Sequence, residues 1–118
     1  MLKDVGCRWV IIGHSERRHI LGESDEIIRN KLDQIIREGL SPILCIGESI
    51  DERNNGKTQD VLRRQLSIAF ENLETSRCNS LIIAYEPVWA IGTGISATDE
   101  MISKTHQMIR NILAENRF

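Results

Sequence analysis

Three short apolar runs, at 9–12, 41–46 and 81–85, are each followed by glycine or a charged side chain and then by a longer stretch with helical spacing. This alternation restricts the chain more than any other feature. Runs of four to six residues, β-branched at Val10, Ile11, Ile12, Ile43, Ile82 and Ile83, read as strands. An unbroken apolar run such as 81–85 suits a strand covered on both faces of a parallel sheet. Parallel neighbours need crossovers long enough to hold a helix, and each gap here supplies one. After Ser24, apolar residues fall at Ile27, Ile28, Leu32, Ile35 and Ile36, with Asp25 and Glu26 in the first turn and Gly39 as the stop. A second helix starts at Thr58 and carries Val61, Leu62, Leu66, Ile68, Ala69, Phe70 and Leu73, while 51–57 reads as a polar loop turning at Asn55-Gly56. A third starts near Thr98 with the stripe Ile102, Thr105, Met108, Ile109, Ile112 and Leu113, and residues 2–5 read as the last turn of an earlier helix.

The expected fold is therefore α/β, three consecutive strand-helix units with parallel strands. Its mouth residues follow from the same pattern. His14 comes directly after Gly13, Glu86 after Tyr85, and Glu48 after Gly47, so all three stand at the carboxyl ends of strands, where α/β proteins place ligands and reactive groups. With strands about 4.8 Å apart, His14 and Glu86 sit roughly 10 Å from each other across the middle strand, leaving room for a small metabolite. Pro87 fixes the chain direction beyond Glu86, and Gly92 and Gly94 make the following loop one in which backbone can approach a ligand.

Composition excludes more than it selects. The 118 residues are 41% hydrophobic and 27% charged, with 15 basic and 17 acidic side chains, which suits one soluble domain over 1–118 and gives no electrostatic reason for nucleic acid or a membrane surface as partner. No apolar run approaches the roughly 20 residues of a membrane span and no signal peptide opens the chain, so a cytoplasmic setting is expected. Cys7, Cys45 and Cys78 are odd in number and widely spaced, and read as buried free thiols rather than a disulfide framework or metal site.

The motifs Gly13-His-Ser-Glu-Arg-Arg18, Cys45-Ile-Gly-Glu48 and Ala84-Tyr-Glu-Pro-Val-Trp-Ala-Ile-Gly-Thr-Gly94 together resemble three signature segments of the triosephosphate isomerase family, in that family's order and at nearly its spacing. The resemblance extends to the Gly22-Glu-Ser-Asp25 turn and the Gly56-Lys-Thr58 helix entry. It implies a partial (β/α)8 barrel covering about the fourth strand to the sixth helix, and an isomerase of glycolysis and gluconeogenesis that interconverts dihydroxyacetone phosphate and D-glyceraldehyde 3-phosphate. On this resemblance Glu86 is the general base, His14 the electrophile, and Glu16 the partner of the family's catalytic lysine. Gly92 binds the substrate phosphate through its N–H. Pro87, Val88, Trp89, Ala90, Ile91, Gly92, Thr93 and Gly94 form a closing lid, with Trp89 its apolar anchor. No metal or cofactor is implied. Glu48 is expected to be a structural mouth residue, Arg17 and Arg18 to make salt bridges or dimer contacts, and His19 and His106 to be structural or solvent-facing.

The chain departs from the family at Ile95 and Asp99, where a lysine and a proline are common, which bears on lid motion rather than chemistry. The family's active-site lysine and asparagine and its dimer loop would precede Met1, and its phosphate-binding loops after strands seven and eight would follow Phe118. A three-unit fragment has two open sheet edges and an uncovered apolar face, so the isolated chain is expected to lack activity and to associate. Two alternatives are a non-catalytic α/β module serving assembly and another small-metabolite enzyme on the same barrel, such as an aldolase or a different phosphosugar isomerase. The Glu-Pro-Val-Trp lid argues against the latter.

Overall fold

The computed structural model describes residues 8–71, 73, 81–87 and 97–115. The elements run β1 (Trp9–Ile12), α1 (Ser15–His19), α2 (Asp25–Arg37), β2 (Ser41–Ile46), α3 (Ile50–Asn54), α4 (Thr58–Ala69), β3 (Ile82–Tyr85) and α5 (Asp99–Glu115). The strands form one parallel sheet in the order β1-β2-β3. Three parallel strands alternating with helices in an open sheet are a partial TIM-barrel α/β fold, the three units as the sequence pattern predicts and the barrel as the family resemblance implies. Residues 2–5, Cys7, Cys78 and the lid segment from 88 to 94 lie outside the described residues.

Register decides which side chains share a face. Ile12 pairs with Leu44 and Leu44 with Ile83, while Ile46 pairs with Tyr85. Partners in a parallel ladder point the same way, and this row joins the core with Ile28, Leu32 and Ile35 of α2, Leu62, Leu66 and Ala69 of α4, and Ile109 and Ile112 of α5. Burying each such aliphatic side chain contributes about 1.5–3 kcal/mol before entropy is subtracted. The alternate row, Ile11, Ile43 and Ile82, also runs in register. It has no helix layer over it: Ile11 is 61% and Ile82 45% exposed. The expectation that the 81–85 run is covered on both faces is thus not met, because among the described residues only one face of the sheet carries helices.

Local chemistry sets the helix limits. Ser24 Oγ accepts the Ile27 N–H at 3.2 Å to open α2. Beyond the other end, Gly39 adopts φ +75°, its N–H donates to Ile36 O, and the Leu40 N–H donates to Ile35 O, the paired bonds of a Schellman stop. Ile27, placed above in the apolar stripe, is instead 44% exposed, since the core takes Ile28, Leu32 and Ile35 and leaves Ile27 about a quarter turn away at the edge of that face. The span 51–57, expected to be loop, is mostly helix. Ser49 Oγ accepts the Glu52 N–H while the Glu52 side chain accepts the Ser49 N–H, a reciprocal capping box that starts α3, and the turn comes at 55–57. Thr98 Oγ1 accepts the Met101 N–H at the start of α5, close to where the sequence places it.

Arg17 and Lys31 both donate to Glu23, whose side chain is nearly buried. The Lys31 ammonium foremost, joined by Arg17 and opposed by burial, holds the Glu23 carboxyl below its ordinary value of 4.5. A depressed carboxylate adds stability that is present above that value and is lost as pH falls through the lower folded one. The stability difference between the parent and Lys31→Met should therefore be full at pH 7 and close on acidification below about pH 4.5. Denaturant titrations at stepped pH measure it, and a gap that stays constant down to pH 3 contradicts the assignment.

Candidate functional site

The carboxyl ends of β1 and β3 converge on one pair of side chains. His14 caps α1: its Nδ1 accepts the Glu16 N–H at 3.3 Å. That bond makes Nδ1 an acceptor, so the ring hydrogen is carried on Nε2. Nε2 stands 3.1 Å from Glu86 Oε2, and Glu86 Oε1 accepts the Ser15 N–H at 3.0 Å. The space expected between the two groups is closed, because Ser15 draws the carboxylate toward β1 and the imidazole meets its second oxygen. Glu16 supplies its backbone to His14 and leaves its side chain exposed. Pro87 follows directly, while Gly92 falls outside the described residues.

Backbone contacts fix Glu86 on the other side. The Glu86 N–H donates to Ile46 O at 2.7 Å. Gly47 lies so close that a Cβ at its position would stand 2.0 Å from Glu86 O. The Gly47 N–H donates to Gln65 Oε1 at 3.0 Å and Gln65 Nε2 donates to Gly47 O at 3.2 Å, both bonds buried. Sequence reasoning passed over Gln65, since one polar residue inside an apolar helical stripe looks like a surface position.

Arg18 joins three elements at the mouth, beyond the salt bridge that the sequence suggests. Its guanidinium, with the side chain only 9% exposed, donates to Gly13 O, Cys45 O and Asp25 Oδ1 and so ties β1, β2 and α2 together at the mouth. The salt bridges expected of Arg17 and Arg18 are present. Cys45 is a buried free thiol, as expected. Burial first, and the Glu86 carboxylate second, push its thiol up, which keeps it neutral beside that carboxylate. Glu48 is fully buried and accepts from Tyr85 Oη at 2.6 Å and from Arg53 at 3.1 Å, the connections of a structural carboxylate. His106 sets its ring edge-on to Tyr85, with centroids 6.2 Å apart, while His19 is exposed.

Among the described residues, no cluster of three or more His, Cys, Asp or Glu is arranged to hold a metal, and no helix is long and apolar enough to cross a membrane. Grooves of about 280 Å³ occur beside β1 and α2, and between β3 and α5, but neither is lined by His14 or Glu86.

Three parallel strands with helices between them, and a carboxylate against an imidazole at their carboxyl ends, place the chain in the class of α/β proteins with a partial TIM-barrel sheet. The family model described as triosephosphate isomerase matches residues 1–117. Proteins named triosephosphate isomerase from Francisella tularensis subsp. holarctica and Fusobacterium nucleatum are 52% and 51% identical over 115 residues, which is 98% of this chain and 46% of each relative. The Francisella philomiragia protein of that name is 50% identical over the same length. This chain belongs to the triosephosphate isomerase family, and it spans about half the length of the curated relatives it matches.

Proposed function

We propose that this chain contributes the general base and the electrophile of a triose-phosphate isomerase acting in the cytoplasm. The observation that carries the reading is the 3.1 Å contact between His14 Nε2 and Glu86 Oε2 at the mouth of the sheet. Glu86 takes the proton from the carbon next to the carbonyl of dihydroxyacetone phosphate, giving an enediolate, and returns it to the adjacent carbon to yield D-glyceraldehyde 3-phosphate. His14 donates its Nε2 hydrogen to the substrate oxygen and moves a proton between the two enediolate oxygens, so that neither holds a full charge. The acceptor bond at Nδ1 orients the ring for both tasks. Substrate must part the two side chains, and the Ser15 N–H gives the carboxylate a place to wait on the β1 side.

Glu16 is proposed to pair with an active-site lysine, and Gly92 to offer its N–H to the phosphate under a lid formed by 87–94. We take 1–118 as one partial barrel domain whose 118 residues, assayed by themselves, have negligible turnover and associate through the open row of Ile11, Ile43 and Ile82. In the assembled protein the family's homodimeric arrangement is expected.

The test grafts this chain into the Francisella tularensis relative in place of the 115 residues it matches. The graft should interconvert the two triose phosphates in a coupled assay, while the chain alone should sediment as oligomers without turnover. A monodisperse, active 118-residue monomer refutes the fragment reading, and an inactive but folded graft refutes the isomerase reading.

A further inference from the structure

We infer that Gln65 is a positioning residue for the base: the paired hydrogen bonds between its amide and Gly47 hold the peptide that sets where Glu86 stands. The inference rests on the isomerase reading for its kinetic consequence, though not for its geometry. Gln65 projects from the middle of α4 with 5% exposure, and its oxygen and nitrogen engage the N–H and C=O of one residue. An amide bound at both ends fixes the rotation of the Gly47 backbone as well as its distance. Gly47 in turn has no freedom toward β3, because its Cα faces the Glu86 carbonyl with no space for even a methyl group. The preceding carbonyl, Ile46 O, receives the Glu86 N–H. Glu86 is therefore bonded through its N–H to Ile46 O and closely packed at its carbonyl against Gly47, and Gln65 holds that segment from behind.

Without the clamp, Gly47 has two buried polar groups to satisfy and the φ/ψ range of a glycine in which to do so. Any rotation it adopts moves the surface against which Glu86 rests. The carboxylate need only shift by about 1 Å for proton transfer to slow by about a hundredfold. Substrate affinity depends mainly on groups elsewhere, so the loss belongs in kcat rather than KM.

The decisive test uses the full chain, labelled with ¹⁵N, as Gln65→Leu and, should branching prevent folding, Gln65→Met, which keeps an unbranched side chain of similar length. Leu32→Ala serves as a control that weakens the core on α2 without touching the clamp. In either Gln65 variant the Gly47 amide should exchange about tenfold faster, as befits the loss of one hydrogen bond. The His14 Nε2 resonance should also shift, as Glu86 leaves its 3.1 Å contact. Neither change should appear in Leu32→Ala. A His14 signal unmoved in the Gln65 variants, or moved equally in the control, overturns the inference. In the graft, kcat should fall about tenfold to a hundredfold with KM within about twofold, and an equal fall in Leu32→Ala also overturns it. If the unaltered graft shows no turnover, the isomerase reading fails by itself and the Gly47 and His14 signals still decide the clamp.

Discussion

Glu86→Gln in the grafted protein should lower kcat by about 10²–10⁴-fold, the usual contribution of a positioned base, and leave KM within a factor of about two. The substitution separates chemistry from packing. Glutamine has the same shape, and its side-chain oxygen can accept the Ser15 N–H as Glu86 Oε1 does at 3.0 Å. What it lacks is an oxygen able to take a proton from carbon. Were Glu86 only a staple between β3 and the start of α1, glutamine would serve almost as well and the rate would hardly change. Thermal midpoints should fall only modestly, since the Glu86 N–H bond to Ile46 O is backbone and survives, while the contact with His14 Nε2 is lost because the amide nitrogen cannot accept from it. Steady-state kinetics with both triose phosphates measure the effect, and a variant keeping more than about a tenth of parental kcat removes Glu86 from the role of base. Glu86→Asp supplies a second reading. Its carboxylate is ionised but one methylene short, so a loss of about a hundredfold marks distance rather than charge as the limiting quantity.

How far these residues were legible in the sequence depends on the range of the forces that placed them. β2 occupies the apolar run 41–46, and α2 stops at Gly39, because strand burial and a left-handed glycine leave local marks. The positions of His14 and Glu86 at the mouth were legible for the same reason. α1 and α3 were not recognised as helices, since five residues are too few to display a 3.6-residue period. For α3 a signal did exist: Ser49 with Glu52 three residues on is the spacing of a capping box. The direct meeting of His14 and Glu86 had no such trace. It depends on the Ser15 N–H, 71 positions from its acceptor, and on a parallel register that brings β1 and β3 level across β2. Gln65 was hidden similarly, because its partner is a peptide group 18 positions away and carries no side-chain label.

Gly47→Ala should be among the most disruptive single substitutions in the chain, destabilising it by about 2–5 kcal/mol through overpacking and lost buried hydrogen bonds. The added methyl carbon would stand 2.0 Å from Glu86 O and 3.0 Å from Glu86 C, both backbone atoms with no rotamer through which to retreat. Two responses are open. β3 can withdraw from β2, which stretches the 2.7 Å bond from the Glu86 N–H to Ile46 O. Alternatively the Gly47 peptide can turn, which breaks its pair of bonds with Gln65. Gly56→Ala is the natural comparison, because nothing lies within 4 Å of its Cβ and only the positive φ of 70° is strained. That strain costs about 1–2 kcal/mol, so chemical denaturation of the full chain should rank Gly47→Ala clearly below Gly56→Ala. A Gly47→Ala protein as stable as Gly56→Ala would show that the close approach is not enforced. The double variant with Gln65→Leu separates the two responses. If the peptide turns, the clamp is already broken in Gly47→Ala and the second substitution adds less than it does alone; if β3 withdraws instead, the clamp survives and the two costs approach additivity. Only the first outcome makes Gly47 the hinge through which α4 reaches Glu86.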